Sequence, residues 1–96
     1  MRHKAPGPIV EVEWVDSMGH RGWQPREEAA TDLEDPDILR HRTTGYLFRK
    51  TKKYLAINQS YGIGGSGMVD AVLQIPRSAV VIVRVLDKQP SGRGKD

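Results

Sequence analysis

Residues 68–86 read MVDAVLQIPRSAVVIVRVL, two apolar, largely β-branched runs parted only by Ile75, Pro76, Arg77, Ser78 and Ala79. β-Branched residues favour strands, and so short a break has no room for the crossover that parallel strands require. The runs must turn a sharp corner, as in a small β-barrel, and Pro76, lacking an N–H, ends the first ladder. Period-two alternation puts Val69, Ala71, Leu73 and Ile75 on one face of the first run, with Asp70 and Gln74 on the other. The second run, 80–86, is apolar on both faces except at Arg84. One face is expected to fill the core, and the other to be covered by the 17–42 segment or by a second subunit.

The remainder of the chain supplies three more strands. In IVEVEWVD at 9–16, Val10, Val12 and Trp14 alternate with Glu11 and Glu13. The valines and Trp14 are expected inward and the glutamates in water, the pattern of an antiparallel sheet covered on one side. TTGYLFRK at 43–50 and YLAINQS at 54–60 flank Thr51-Lys52-Lys53 and read as a hairpin. Leu55 and Ile57 share its buried face, Tyr54, Ala56 and Asn58 the polar one. Gly45 marks a bend or a close backbone approach.

Between the first strand and this hairpin, 17–42 has no sustained period. Pro25 suits the first position of a helix, Glu27 and Glu28 complement its dipole, and Ala29, Ala30 and Leu33 continue it until Asp35-Pro36, which predicts a short helix at 25–33. Trp23 is expected to staple this excursion onto the sheet, and Asp16 and Ser17 to fasten its start by side-chain to backbone bonds.

Ninety-six residues support one core and not two. The expected division is a basic, disordered tail at 1–8, a folded body at 9–87 and a second basic tail at 88–96. The formal charge of +3 belongs to the tails, since the body holds ten Lys/Arg against eleven Asp/Glu, a net of −1. With no cysteine, disulfides and thiolate metal sites are excluded and a reducing compartment is the natural expectation. Pro6 and Pro8 stand where a signal peptide needs an apolar run, and no apolar stretch is long enough to span a bilayer. A cytoplasmic protein without membrane partners is expected.

Five strands, a long first connection and a one-turn corner before the last resemble the SH3-like and Sm-like small barrels. VEWVDS at 12–17, Gly22-Trp23, Thr44-Gly45-Tyr46 and Ile75-Pro76-Arg77 with Val80 together resemble a group of small, largely uncharacterised phage-encoded proteins. That resemblance implies a viral origin, a barrel fold and a place in the host cytoplasm, and it brings no established activity.

Few residues offer chemistry. Residues 62–69 fit G-x-G-x-x-G-x-V, the kinase phosphate loop, but the chain lacks the lysine, base and metal ligands that phosphoryl transfer needs. A strand rather than a helix follows, so the dinucleotide version fails too. What survives is a loop able to cradle a small anionic ligand through its amides, with Ser60, Tyr61, Gly64, Gly65, Ser66 and Trp23 as candidate contacts. The acids Glu27, Glu28, Asp32, Glu34, Asp35 and Asp37 lack the spacing of a calcium loop and read as a solvated helix start, with Arg40, His41 and Arg42 beside them as pairing partners. His3, His20 and His41 have no ligand spacing, and Ser17 with His20 has no nucleophile elbow, so neither metal nor hydrolysis is expected. Arg49, Lys50, Lys52 and Lys53, with Tyr46, Phe48 and Tyr54 interleaved, form the body's one basic run. It reads either as an edge kept soluble or as a nucleic-acid contact in which Tyr54 stacks.

The expectation is a mostly β, five-stranded SH3-like/Sm-like barrel with one short helix after strand one, non-enzymatic and without cofactor. As a homo-oligomer it would bind a nucleotide-like ligand or a host protein, in a phage setting to inhibit host defence. The alternative is an Sm-like binder of RNA or single-stranded DNA.

Overall fold

The computed structural model describes residues 4–17, 22–31, 36–64 and 67–90. Expectations attached to His3, His20, Asp32, Leu33, Glu34, Asp35, Gly65, Ser66 and the far C-terminal residues lie outside these. Five strands form one antiparallel sheet: β1 (Ile9–Val15), β2 (Arg40–Lys50), β3 (Tyr54–Tyr61), β4 (Val69–Pro76) and β5 (Val80–Asp87), in the order β4-β3-β2-β1-β5. The fold is mostly β, with one six-residue helix, α1 (Arg26–Thr31), and 3₁₀ turns at Pro36–Leu39 and Arg77–Ala79.

The strand order dictates curvature. β4 and β5 stand at opposite ends of the order without pairing, yet only Arg77–Ala79 joins them. Four gaps between strands of a flat sheet span about 19 Å. The link from Pro76 to Val80 reaches no more than about 14 Å even if extended. The sheet therefore bends until its two edges lie one turn apart, and the turn is anchored where Arg77 N–H donates to the Lys53 carbonyl at 2.8 Å.

Val10, Val12, Leu55, Ile57 and Ile75 form the fully buried core, with Trp14, Leu47, Leu73, Ala79 and Val80 packed on it. Trp14 belongs to the core as its alternation requires, with its indole N–H donating to Thr43 Oγ1 at 2.9 Å and its ring 5.1 Å from that of His41 across the pair. Gly45 lies where backbone approaches backbone, for a Cβ there would stand 2.7 Å from the Asn58 carbonyl oxygen. Gly7 is tighter still, since a Cβ there would overlap the Leu47 carbonyl oxygen, and the Pro8 carbonyl accepts a bond from Leu47 N–H at 2.8 Å. The end of the N-terminal tail thus runs against β2 as an extension of β1.

Several expectations are corrected. β2 begins at Arg40, because Arg40, His41 and Arg42 pair with Val15, Trp14 and Glu13 in place of closing the excursion. Glu13 does not face water: only 8% of its surface is accessible, under arginines from β2 and β5. The outward face of β3 is not polar and wet either, since Ala56 and Asn58 are buried between β2 and β4. In β4 the alternation breaks at Ala71, which is exposed with φ of 54°, a left-handed conformation that L side chains resist. Trp23 staples nothing. It is fully exposed, and α1 buries no residue, so neither covers the apolar surface of β5, where Val81, Ile82, Val83, Val85 and Leu86 stay exposed along an edge strand.

Candidate functional site

The turn between β2 and β3 is built by Thr51, whose hydroxyl accepts from Lys53 N–H at 3.1 Å and Tyr54 N–H at 3.0 Å while its own N–H donates to the Tyr54 carbonyl at 2.9 Å. These bonds leave the side chains of Lys52 and Lys53 in solvent at the tip and Arg49 and Lys50 exposed on the strand behind it. The Arg77 to Lys53 backbone bond then brings a fifth cation beside them from the β4–β5 turn. None of Arg49, Lys50, Lys52, Lys53 and Arg77 has an ion-pair partner among the described residues. Tyr54 lies half-buried at this corner opposite Pro76, and Phe48 sits in a bulge of β2 where the register slips between Leu47 and Arg49.

The other arginines of the sheet are neutralised. On the outer face of β1, Arg42 Nε donates to Glu13 Oε1 at 3.2 Å, Arg84 donates to Glu11 at 3.1 Å and reaches Glu13 at 3.7 Å, and Arg40 lies 3.7 Å from both Glu13 and Asp37. The Arg42 hydrogen bond, reinforced by the charges of Arg40, Arg42 and Arg84, holds the Glu13 carboxyl below its ordinary range despite the opposing effect of burial. Arg40, His41, Arg42, Glu13 and Asp37 line a cavity of about 380 Å³. Two guanidinium groups against two carboxylates leave that cavity no net charge, and it reads as a structural network. At its rim His41 Nε2 lies 4.0 Å from Asp16, whose Oδ1 accepts from Ser17 N–H at 2.7 Å, the fastening expected at the start of the excursion.

The glycine segment makes a third site. Gly62 N–H donates to the Met68 carbonyl at 2.8 Å and closes the neck of the loop. Ser60, Tyr61, Gly62, Met68, Val69 and Asp70 line a shallow cavity of about 300 Å³ at that neck. Of the residues singled out in the sequence, Ser60 and Tyr61 line this cavity, Gly64 stands exposed further out, and Trp23 lines neither cavity. Sequence reasoning named neither Asp70 nor Arg77 as a site residue. The only signal for either is the strand register, which sets Asp70 opposite Ser60 and Pro76 opposite Tyr54.

Among the described residues no group of three or more His, Asp or Glu is placed to hold a metal ion, and no helix is long and apolar enough to cross a membrane. No family model and no solved structure matches the chain. Among curated proteins it is similar to Protein MOR1 of Arabidopsis thaliana, 42% identical over 48 residues, which cover 43% of this chain and 2% of that protein. A segment that spans so little of its relative assigns no family.

Proposed function

We propose that this protein acts by binding and that its basic corner holds single-stranded nucleic acid along the phosphate backbone. The observation that carries the reading is the convergence of five cations without carboxylate partners among the described residues, from two separate turns, on a body whose remaining sheet arginines are ion-paired. Phosphates attract such a corner irrespective of sequence, and the ring of Tyr54 offers a base a surface on which to stack. The strand order and the one-turn link between the edge strands support an SH3-like or Sm-like barrel as the finer description of the fold. The uncovered apolar edge at β5 supports assembly of several copies, which would set basic corners side by side.

The nucleotide-like ligand expected at the glycine segment has less support, because the Asp70 carboxylate in that cavity repels a phosphate. Fluorescence anisotropy with a labelled oligothymidylate or oligouridylate tests the proposal. Binding should weaken steeply with added salt and be lost in Lys52→Glu/Lys53→Glu. Undiminished binding by that double variant, or no binding by the unmodified chain at low salt, would sink it.

A further inference from the structure

The cavity at the neck of the glycine loop has a chemistry opposite to that of the basic corner. Ser60, Tyr61, Gly62, Val69 and Asp70 line it, with Met68, whose side chain is exposed. Asp70 stands directly across the β3–β4 ladder from Ser60, and Val69 across from Tyr61, so acid and hydroxyl share one step of the ladder and the ring belongs to the next. Asp70 has no ion-pair partner among the described residues. Tyr61 in turn is held edge to face by Tyr46, with ring centroids 5.0 Å apart and planes at 85°. An unpaired carboxylate beside a fixed aromatic ring and a thioether is a combination that receives positive charge: the acid supplies attraction, the ring quadrupole adds to it, and the hydroxyl accepts an N–H.

We propose that this cavity binds an organic cation, a guanidinium or alkylammonium group, and that Asp70 and Tyr61 are its principal contacts. A volume of about 300 Å³ suits one such group and its first carbons. The site is independent of the basic corner, which lies at the other end of β3, where the strand begins with Tyr54 rather than ends with Tyr61. A free small cation and a lysine or arginine presented by a second copy of the chain would seat by the same contacts.

Titration of the isotope-labelled full chain with agmatine, followed by amide chemical shifts, tests the inference. Saturable shifts at Ser60, Tyr61, Gly62 and Asp70 are expected, with a Kd of about millimolar order, as a single exposed contact of this kind provides. Asp70→Asn should weaken binding by about two- to fivefold, the range of one exposed ion pair. Tyr61→Leu should weaken it by a similar factor, and Tyr61→Phe, which keeps the ring, should not. Dilution separates the sources: amide shifts at Asp70 that disappear on dilution without agmatine identify a second copy as the donor of the cation, whereas concentration-independent spectra that respond only to agmatine identify a free cation. Overturning results are the absence of saturable shifts at these four residues, equal affinity in Asp70→Asn, or displacement of agmatine by inorganic phosphate acting at the same amides.

Discussion

Glu13 shows how a residue's neighbours reverse the meaning of its position. Alternation with Val12 and Trp14 marks it as outward-facing, and it does face outward, but Arg42 stands opposite it on β2 and Arg84 reaches it from β5. Its ordinary value is 4.5, and the folded carboxyl sits lower because charge and the Arg42 hydrogen bond favour the anion. A carboxyl depressed by folding contributes stability that is complete above its unfolded pKa and disappears as the pH falls through the folded one. Thermal unfolding from pH 6 down to pH 2.5 should therefore show a midpoint that drops below about pH 4.5. Glu13→Gln should start from a lower midpoint at neutral pH and show a shallower acid limb, and a limb as steep as that of the unmodified chain would refute this account. Ala71 is the other residue whose role only the backbone exposes. Its left-handed conformation costs an alanine about 1–2 kcal/mol, while glycine pays roughly 0.5–1 kcal/mol in chain entropy. Ala71→Gly should thus leave stability unchanged or raise it by up to about 1.5 kcal/mol in urea unfolding, whereas Ala56→Gly, which empties a buried position, should lower it. Nothing in a string of alternating residues announces that one of them adopts positive φ, so the face assignment over 69–75 was legible at Leu73 and Ile75 and not at Ala71.

At the scale of the element, β5 is where reading and structure diverge most usefully. Its composition and its place after the Pro76 corner were legible, because β-branched runs and a missing N–H act locally. What covers it was not, because cover depends on contacts remote in sequence, and within the described part of the 17–42 excursion Trp23 is fully exposed and α1 buries no residue. Val83 and Val85 pair with Val12 and Val10, so they lie on the core side, and yet they remain exposed: the core is open along this edge. Only Arg84 interrupts the apolar row, and its charge is tied to Glu11. Natural edges are blunted by charge, proline or twist, as β4 is here by Asp70, the left-handed backbone of Ala71 and Pro76. β5 has no proline, its Arg84 is tied to Glu11 and its Asp87 stands only at the end, so it should pair with something. Sedimentation velocity at high micromolar concentration should find oligomers, and Val85→Lys, placed at a half-exposed position that tolerates a charged head, should shift the chain toward monomer with an unchanged circular dichroism spectrum. A purely monomeric unmodified chain would refute self-association through β5.

Across the whole molecule, charge is sorted by the sheet rather than by the sequence. A body net of −1 conceals one end of β3 with five cations unpaired among the described residues, a balanced arginine–carboxylate network carried by β1, β2 and β5, and another end of β3 facing Asp70. Counting along the chain registered Arg49, Lys50, Lys52 and Lys53 because they are adjacent, and overlooked Arg77 because its proximity arises from curvature of the sheet. Salt dependence makes that difference measurable. If all five cations contact phosphates of a single strand, the logarithm of affinity should fall with that of salt at a slope of about −3.5, roughly a hundredfold loss between 50 and 200 mM. If only the hairpin four take part, the slope should be about −2.8. Arg77→Ala should therefore reduce the slope by about 0.7 and weaken binding to unrelated oligonucleotides equally, since a phosphate contact reads no bases. An unchanged slope would remove Arg77 from the corner, and a change confined to one base sequence would make it a reader of bases instead.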